Sequence, residues 1–417
     1  MTAGGLFALI VVAIVLQVGI AALVAFVRHW RVYVELKGRV SNGVTEAAPP
    51  VRQPAPQTPA AWSDYRPFRV RSKAFEDRAR SVCSFVLEPA DGGAVPNFLP
   101  GQFLTFRLNI SGQATPTVRC YSLSDRSGGD AYRVSIKRAP APDGHPDIPS
   151  GLSSNHFHDH VREGDILEVK APSGRFLLDP KGPGPVVLVA GGIGVTPMVS
   201  MAAACLHENP GREVWFFYGV RDGAEEVFAA PLREWAARHP CFHLHVCHSR
   251  PAADEVEGRD YHHCGYVDIA LLRRVLPLKS FDFYVCGPRA MMESLVPALL
   301  EWGVPTTRVH YEAFGPASLP RLDTPPAPEP AASAQPLSVT FAGSGRQVVW
   351  TGGSLLDLAE ANGIAVDSGC RAGGCGMCQT RVEEGEVDYE HSPDFDPEPG
   401  TCLLCVGRPR TNLVLGM

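Results

Sequence analysis

Residues 6–27 form an apolar run broken only by Gln17 and small side chains, with no charge before Arg28. At about 1.5 Å of rise per residue, such a stretch spans a hydrocarbon core about 30 Å thick as a helix. The pattern therefore predicts a transmembrane helix; a cleavable signal peptide would carry a charged start and a shorter apolar stretch. Further on the period drops to two. Residues 102–108 place Leu104, Phe106 and Leu108 on one face and Phe103, Thr105 and Arg107 on the other, and residues 132–137 alternate likewise. Alternation predicts half-buried strands, and short strands with Gly/Pro turns through residues 64–179 predict a small antiparallel barrel. From Pro183 the texture changes. Residues 185–190 are continuously apolar, as suits a strand of a parallel sheet covered on both faces. They run through 191–197 into a helix from Met198, with Thr196 as N-cap and Pro197 as the first helical residue. Strands at 215–219, 243–247 and 282–288 alternate with helical stretches, which predicts a doubly wound α/β sheet. Residues 337–350 read as a hairpin turning at Gly343, Ser344 and Gly345, and 354–362 as a capped helix ending at Gly363.

Residues 47–61 and 319–336 are rich in Pro and Ala; neither can build a core, and both read as semi-rigid spacers. With 38 Lys+Arg against 44 Asp+Glu the net charge is −6, which argues against a nucleic-acid partner. The 12 cysteines in 417 residues are no secreted disulfide framework, and those left over from a metal site fit a reducing compartment as ordinary buried thiols. Arg28, Arg31, Lys37 and Arg39 follow the apolar run and no Lys or Arg precedes it. The positive-inside rule then places the bulk of the chain in the cytoplasm, behind a single pass through the cell inner membrane, with Trp30 and Tyr33 at the interface.

The most specific chemistry lies in S-G-C-R-A-G-G-C-G-M-C, with Cys370, Cys375 and Cys378, followed later by Cys405. The spacing C-x4-C-x2-C with a distant fourth cysteine is that of plant-type [2Fe–2S] ligands. Soft thiolates suit such a cluster, and Gly373, Gly374 and Gly376 suit a loop wound tightly around it. Zinc would favour two facing C-x2-C pairs, and Cys402 with Cys405 is the one later pair of that spacing. On spacing alone, both Cys402 and Cys405 are candidates for the fourth ligand.

Between the first two alternating segments lies R-C-Y-S-L, residues 119–123. Arg119 can grip a phosphate, Tyr121 can stack on an aromatic ring, and Ser122 can hydrogen-bond a ring nitrogen. Gly191, Gly192 and Gly194 open a helix where a diphosphate could approach the backbone. His145, His156, His158 and His160 are irregularly spaced, which does not suit a metal site.

Taken in order, P-G-Q-F (100–103), R-x-Y-S, G-L-S-S-N-H-F-H (151–158), G-G-I-G-V-T-P, Y-G-V-R (218–221), C-G-P (286–288) and Y-E-A-F-G (311–315) resemble the ferredoxin–NADP reductase superfamily. The last segment resembles the β-grasp of plant-type [2Fe–2S] ferredoxins, in which the fourth ligand is followed four residues later by proline. Cys405 and Pro409 match that, and Cys402 becomes a packing thiol. The apolar run and the spacers give a transmembrane anchor at 1–30 and linkers at 31–63 and 319–336; the resemblance implies an FAD-binding β-barrel at 64–180, an NAD(P)-binding α/β domain at 181–318 and a ferredoxin domain at 337–417.

It further implies that Phe103, Arg119, Tyr121, Ser122, Ile136, Lys137, Gly151, Ser153 and Ser154 hold FAD. Gly191, Gly192, Gly194, Thr196, Cys286, Gly287 and Pro288 would hold the nicotinamide coenzyme. Ser122, Cys286 and Glu312 are the expected catalytic residues, with Phe314 on the flavin's other face. Ser249, Arg250 and Arg221 lean the coenzyme towards NADPH, as a clamp for its 2′-phosphate.

The same resemblance implies electron flow from NAD(P)H through FAD and the cluster to an external acceptor, an oxygenase or hydroxylase. Plant-type clusters near about −400 mV can reduce most such partners. A quinone acceptor and a flavohaemoglobin-reductase-like module are the alternatives. A redox sensor would need an output domain, and none is visible in the sequence.

Overall fold

The computed structural model describes residues 62, 64–113, 116–141, 150–314, 337–366, 368–369, 371, 373–374, 376–389, 393, 395 and 397–417. The apolar run 6–27, both Pro/Ala-rich spacers, His145, Cys370 and Cys375 lie outside these residues. Among the described residues no helix is long and apolar enough to cross a membrane.

The first domain is built from β1 (Arg66–Phe75), β2 (Val82–Pro89), β3 (Phe103–Leu108), β4 (Thr117–Ser122), β5 (Tyr132–Lys137) and β6 (Ile166–Ser173), with one helix, α1 (Leu152–Asp159). The strands run in the order β4-β3-β6-β1-β2-β5, every pairing antiparallel. An antiparallel bridge between Leu123 and Val134 joins the two ends of that order and closes the barrel. Leu104, Phe106 and Leu108 point into its core with Phe68, Phe85, Val134 and Phe157. The opposite face of β3 is not a solvent face, because Phe103 and Thr105 are buried too.

The second domain is one parallel sheet. It contains β7 (Val186–Gly191), β8 (Val214–Val220), β9 (Phe242–His248), β10 (His263–Cys264), β11 (Asp282–Gly287) and β12 (Val309–Ala313), ordered β10-β9-β8-β7-β11-β12. The helices are α2 (Val195–Glu208), α3 (Ala229–Arg238), α4 (Ile269–Val275) and α5 (Arg289–Glu301). The apolar continuity of β7 has a simple cause. Val186, Leu188 and Ala190 pack with α2 and α3, while Val187 and Val189 pack with α4 and α5. Buried on both faces, the strand has no polar position to offer.

The turn after β7 departs from expectation. A 3-10 turn, Gly192–Gly194, feeds straight into α2, so Gly194 is the N-cap rather than Thr196. Thr196 lies inside the first turn and its hydroxyl donates to the Ile193 carbonyl at 3.0 Å. Pro197 follows it, two positions beyond the start of the helix.

The third domain holds β13 (Ser338–Phe341), β14 (Arg346–Val349), β15 (Gln379–Glu384), β16 (Val387–Tyr389), β17 (Thr401–Leu403), β18 (Gly407–Pro409) and β19 (Leu413–Leu415). Five of these strands form a sheet ordered β14-β13-β19-β15-β17, and β16 pairs with β18. Helix α6 (Leu355–Ala361) begins at a capping box in which Ser354 and Asp357 satisfy each other's backbone N–H.

Candidate active site and cluster loop

Strand register sets the flavin end. Phe103 lies opposite Ser122, and Leu104 opposite Tyr121. The Tyr121 hydroxyl donates to Ser153 Oγ at 3.2 Å, and its ring meets Phe106 and Phe157 edge-on at 5.8 and 5.3 Å. Burial pushes this phenol up to about 12, with the Ser153 contact working the other way. Tyr121 therefore stays neutral and keeps a fixed ring plane. Ser122 and Ile136 are buried, and Gly151 opens α1.

What aims α1 was not expected from sequence. Lys73 donates from its ammonium to the carbonyls of Phe157, His158 and Val161 at 3.1, 2.7 and 2.7 Å. The His158 ring bonds the Ile136 carbonyl at 2.8 Å. A cation on the last carbonyls completes the helix C-terminus, leaving the N-terminus with Gly151, Ser153 and Ser154 towards the Tyr121 side. Such an end, where first-turn backbone N–H groups have no intrahelical partner, suits a phosphate.

At the nicotinamide end the glycines serve packing as much as approach. A Cβ at Gly194 would stand 2.1 Å from the Cys286 carbonyl oxygen, and one at Gly191 would stand 2.7 Å from Pro288 Cδ. Gly192 alone of the three has φ +52 and open space around it. Cys286 is fully buried and lies in register between Ala190 and Glu312. Burial, then the Glu312 charge, raise its thiol well above the ordinary range, so it is a neutral group there and not a thiolate. Gly287 ends β11 and Pro288 caps α5. Ser122 belongs to the barrel, whereas Cys286 and Glu312 sit side by side on the parallel sheet; Phe314, just beyond β12, is exposed.

The residues expected around the 2′-position are brought together. Ser249 N–H donates to the Val220 carbonyl at 3.0 Å and Arg250 N–H to the Arg221 carbonyl at 2.8 Å, extending the β8–β9 alignment past both strand ends. The Arg221 guanidinium is 3.2 Å from the Glu225 carboxylate. Lys137, expected at the flavin, reaches across from the barrel to the same carboxylate at 3.4 Å. Buried beneath is His248, whose Nδ1 lies 2.9 Å from Glu255. Glu255 also accepts from Gly223 N–H and Ala252 N–H at 2.8 and 3.0 Å, tying together the two loops that carry the arginines.

In the third domain Cys378 is buried and Cys405 half-buried. Gly373 N–H donates to Cys405 Sγ at 3.3 Å and Cys405 N–H to Cys378 Sγ at 3.4 Å. Backbone donors aimed at two expected ligand sulfurs are what a cluster's surroundings supply. Gly376 has φ +72, and a Cβ there would enter the Phe395 ring at 2.6 Å. Cys402 instead packs inward among Leu403, Leu404 and Val406, its thiol pushed up to about 12 by burial. The donor set fits a [2Fe–2S] cluster. Not every other cysteine is buried as expected: Cys264 is exposed and Cys120 and Cys241 are half-buried.

The loop also touches the barrel. Met377 Sδ lies 3.7 Å from both the Tyr65 hydroxyl and the Lys170 ammonium. Arg119 donates to the Val118 carbonyl at 2.7 Å and to that of Gly369, next to Cys370, at 3.4 Å.

Three family models match in this order: an oxidoreductase FAD-binding domain over residues 71–177, an oxidoreductase NAD-binding domain over 188–296, and a 2Fe-2S iron-sulfur cluster binding domain over 339–410. A flavohemoprotein of Halalkalibacterium halodurans is 35% identical over 288 residues, 69% of this chain and 68% of that protein. The chain belongs to the ferredoxin–NADP reductase family.

It spans between 61% and 69% of the length of the curated flavohemoproteins it matches. The reductase is also similar to the FAD/NAD-binding domain of nitric oxide dioxygenase from Vibrio cholerae, at 36% identity and a TM-score of 0.53, covering 61% of this chain and all of that one. Phthalate dioxygenase reductase, a modular structure for electron transfer from pyridine nucleotides to [2Fe-2S], is 27% identical with a TM-score of 0.52. That match covers 85% of this chain and 98% of the other. The chain is thus an oxidoreductase that binds FAD, NAD(P)H and a [2Fe–2S] cluster.

Proposed function

We propose that this reductase takes electrons from NAD(P)H and passes them to an external acceptor protein, an oxygenase or hydroxylase, while anchored in the cell inner membrane by residues 6–27 with its domains on the cytoplasmic side. The observation that carries the electron-transfer reading is the presence of FAD-, NAD- and 2Fe-2S-binding domains in one chain, 85% of which aligns with phthalate dioxygenase reductase. The apolar run and the arginines after it support the anchor. When bound, flavin supplies the chemistry that joins a two-electron hydride donor to a one-electron cluster.

The protein's part is placement. Arg119 and the N-terminus of α1 hold phosphate, and Tyr121 gives a rigid neutral face. Ser122 offers a hydroxyl to the flavin ring. Buried Cys286, beside Glu312 and Gly194, shapes a dry floor for the nicotinamide, and its neutral thiol adds no charge there. Cys370, Cys375, Cys378 and Cys405 hold the iron.

Anaerobically purified protein should contain flavin and iron in a ratio of about one to two. NAD(P)H should bleach the flavin and raise the EPR signal of a reduced [2Fe–2S] cluster. Zinc in place of iron would sink the reading. The membrane position also brings the chain beside quinones, and rapid NAD(P)H–quinone turnover in washed membranes, with no soluble protein present, would replace the protein acceptor by quinone.

A further inference from the structure

We propose that Glu225 sets the coenzyme preference of this reductase, and sets it against the 2′-phosphate that distinguishes NADPH from NADH. The proposal rests on the reading above, in which the adenosine end of the coenzyme lies by Arg221, Ser249 and Arg250.

Those three residues alone make a phosphate clamp. The structure adds an anion to it. The Glu225 carboxylate faces Arg221 at 3.2 Å through one oxygen and Lys137 at 3.4 Å through the other. Arg221 is largely exposed, with 62% of its side chain accessible, whereas Glu225 keeps 21%. An exposed ion pair is itself worth little, so sequestering Arg221 is the smaller part of the effect. The larger part is that the carboxylate is held in place.

The two cations grip the carboxylate, and three contacts hold the backbone that carries it. Glu225 N–H donates to the Asp222 carbonyl at 3.2 Å, which fixes the turn. The neighbouring Ala224 carbonyl accepts from Ala79 N–H of the barrel's β1–β2 turn at 2.9 Å. Glu255 clamps Gly223 N–H from the other side at 2.8 Å. An arriving phosphate, carrying about −1.5 to −2 charge at neutral pH, would meet a fixed negative charge at the guanidinium it needs. A ribose 2′-hydroxyl meets no such repulsion, since it can donate a hydrogen bond to that carboxylate. Lys137 strengthens the arrangement from the flavin barrel, because it draws Glu225 to the seam between the two domains.

The test uses the full chain and calorimetric titration with 2′,5′-ADP and 5′-AMP, probes that differ only in the phosphate. Glu225→Gln should tighten 2′,5′-ADP by about tenfold, which is about 1.4 kcal/mol, and leave the 5′-AMP affinity nearly as it was. Glu225→Asp, which keeps the charge, should show no such gain. In Arg221→Ala/Glu225→Gln the gain should vanish, as the guanidinium that profits from the change is gone. Steady-state kinetics should follow, with the kcat/KM ratio of NADPH to NADH rising through KM in Glu225→Gln. An unchanged preference in Glu225→Gln, or equal tightening of both probes, overturns the proposal while leaving the reductase reading intact. Failure of the wild-type flavin to be reduced by either coenzyme overturns both.

Discussion

Cys402 and Cys405 stand three residues apart with the same chemistry, and burial separates them. Cys402 is 1% exposed within the ferredoxin core, whereas Cys405 Sγ takes a hydrogen bond from Gly373 N–H. Cys405→Ser should therefore lose the iron, measured per chain after anaerobic purification. Cys402→Ala should keep it, at a cost of about 1–2 kcal/mol in stability for the small cavity. Iron content equal to wild type in the Cys405 variant would show that the fourth ligand had been misassigned. At this scale the sequence is legible where a residue type is itself the chemistry, as for the cysteine spacing that marks the cluster-binding domain. It is silent where a role depends on what faces the residue from another element. Lys73, His248 and Glu225 are ordinary polar residues in the sequence, and only the fold sets them against helix carbonyls, a buried carboxylate and a guanidinium.

Strands and the capping box of α6 read well, whereas the start of α2 did not. The period of apolar positions in β3, β5 and β7 reports burial directly. The start of α2 depends instead on a 3-10 turn that no period records, and the expected cap at Thr196 moved to Gly194. The edge of the parallel sheet holds a feature with a pH signature. His245 on β9 stacks on Phe217 at 4.9 Å and lies 3.1 Å, through Nδ1, from His263 of the β10 edge strand. Burial, then neighbouring His263, His262 and His243, lower its proton affinity to about 4. Its unfolded-state value is near 6.5, so the fold favours the neutral ring. The resulting stability is complete above pH 6.5 and is lost as pH falls towards 4. At about 1.4 kcal/mol per pH unit, discounted for a ring that is only partly buried, the loss is about 1–2 kcal/mol. Urea unfolding between pH 7 and 4.5, followed through tryptophan fluorescence, should show it. His245→Phe, which keeps the stack and removes the titration, should flatten that limb; an equally steep limb in the variant would mean that other groups carry it.

For the whole molecule, the separation of anchor from catalytic domains makes a direct prediction. Removing the residues before Ala47 should move the protein from the membrane pellet to the supernatant. It should retain flavin and still reduce ferricyanide with NAD(P)H, assayed on both fractions. Loss of flavin on truncation would make the N-terminal segment part of the folded core. The domain order was legible from motifs alone, because each is a short local string. The contacts of the cluster loop with Tyr65, Lys170 and Arg119 were not, since they join residues distant in sequence.

The pairing of β13 with β19 has its own consequence. These neighbours are parallel and separated by the whole of residues 342–412, and all four expected iron ligands fall in the stretch between them. Closing so long a loop is an entropically costly, non-local event, and it comes last in the order of synthesis, since the barrel and the parallel sheet lie upstream. A newly made chain therefore passes through a stage in which its first two domains are complete and its cysteines are still on an open loop. Iron binding and the closing of the β13–β19 pair are therefore linked, since the loop that the pair closes is the one that carries the cysteines.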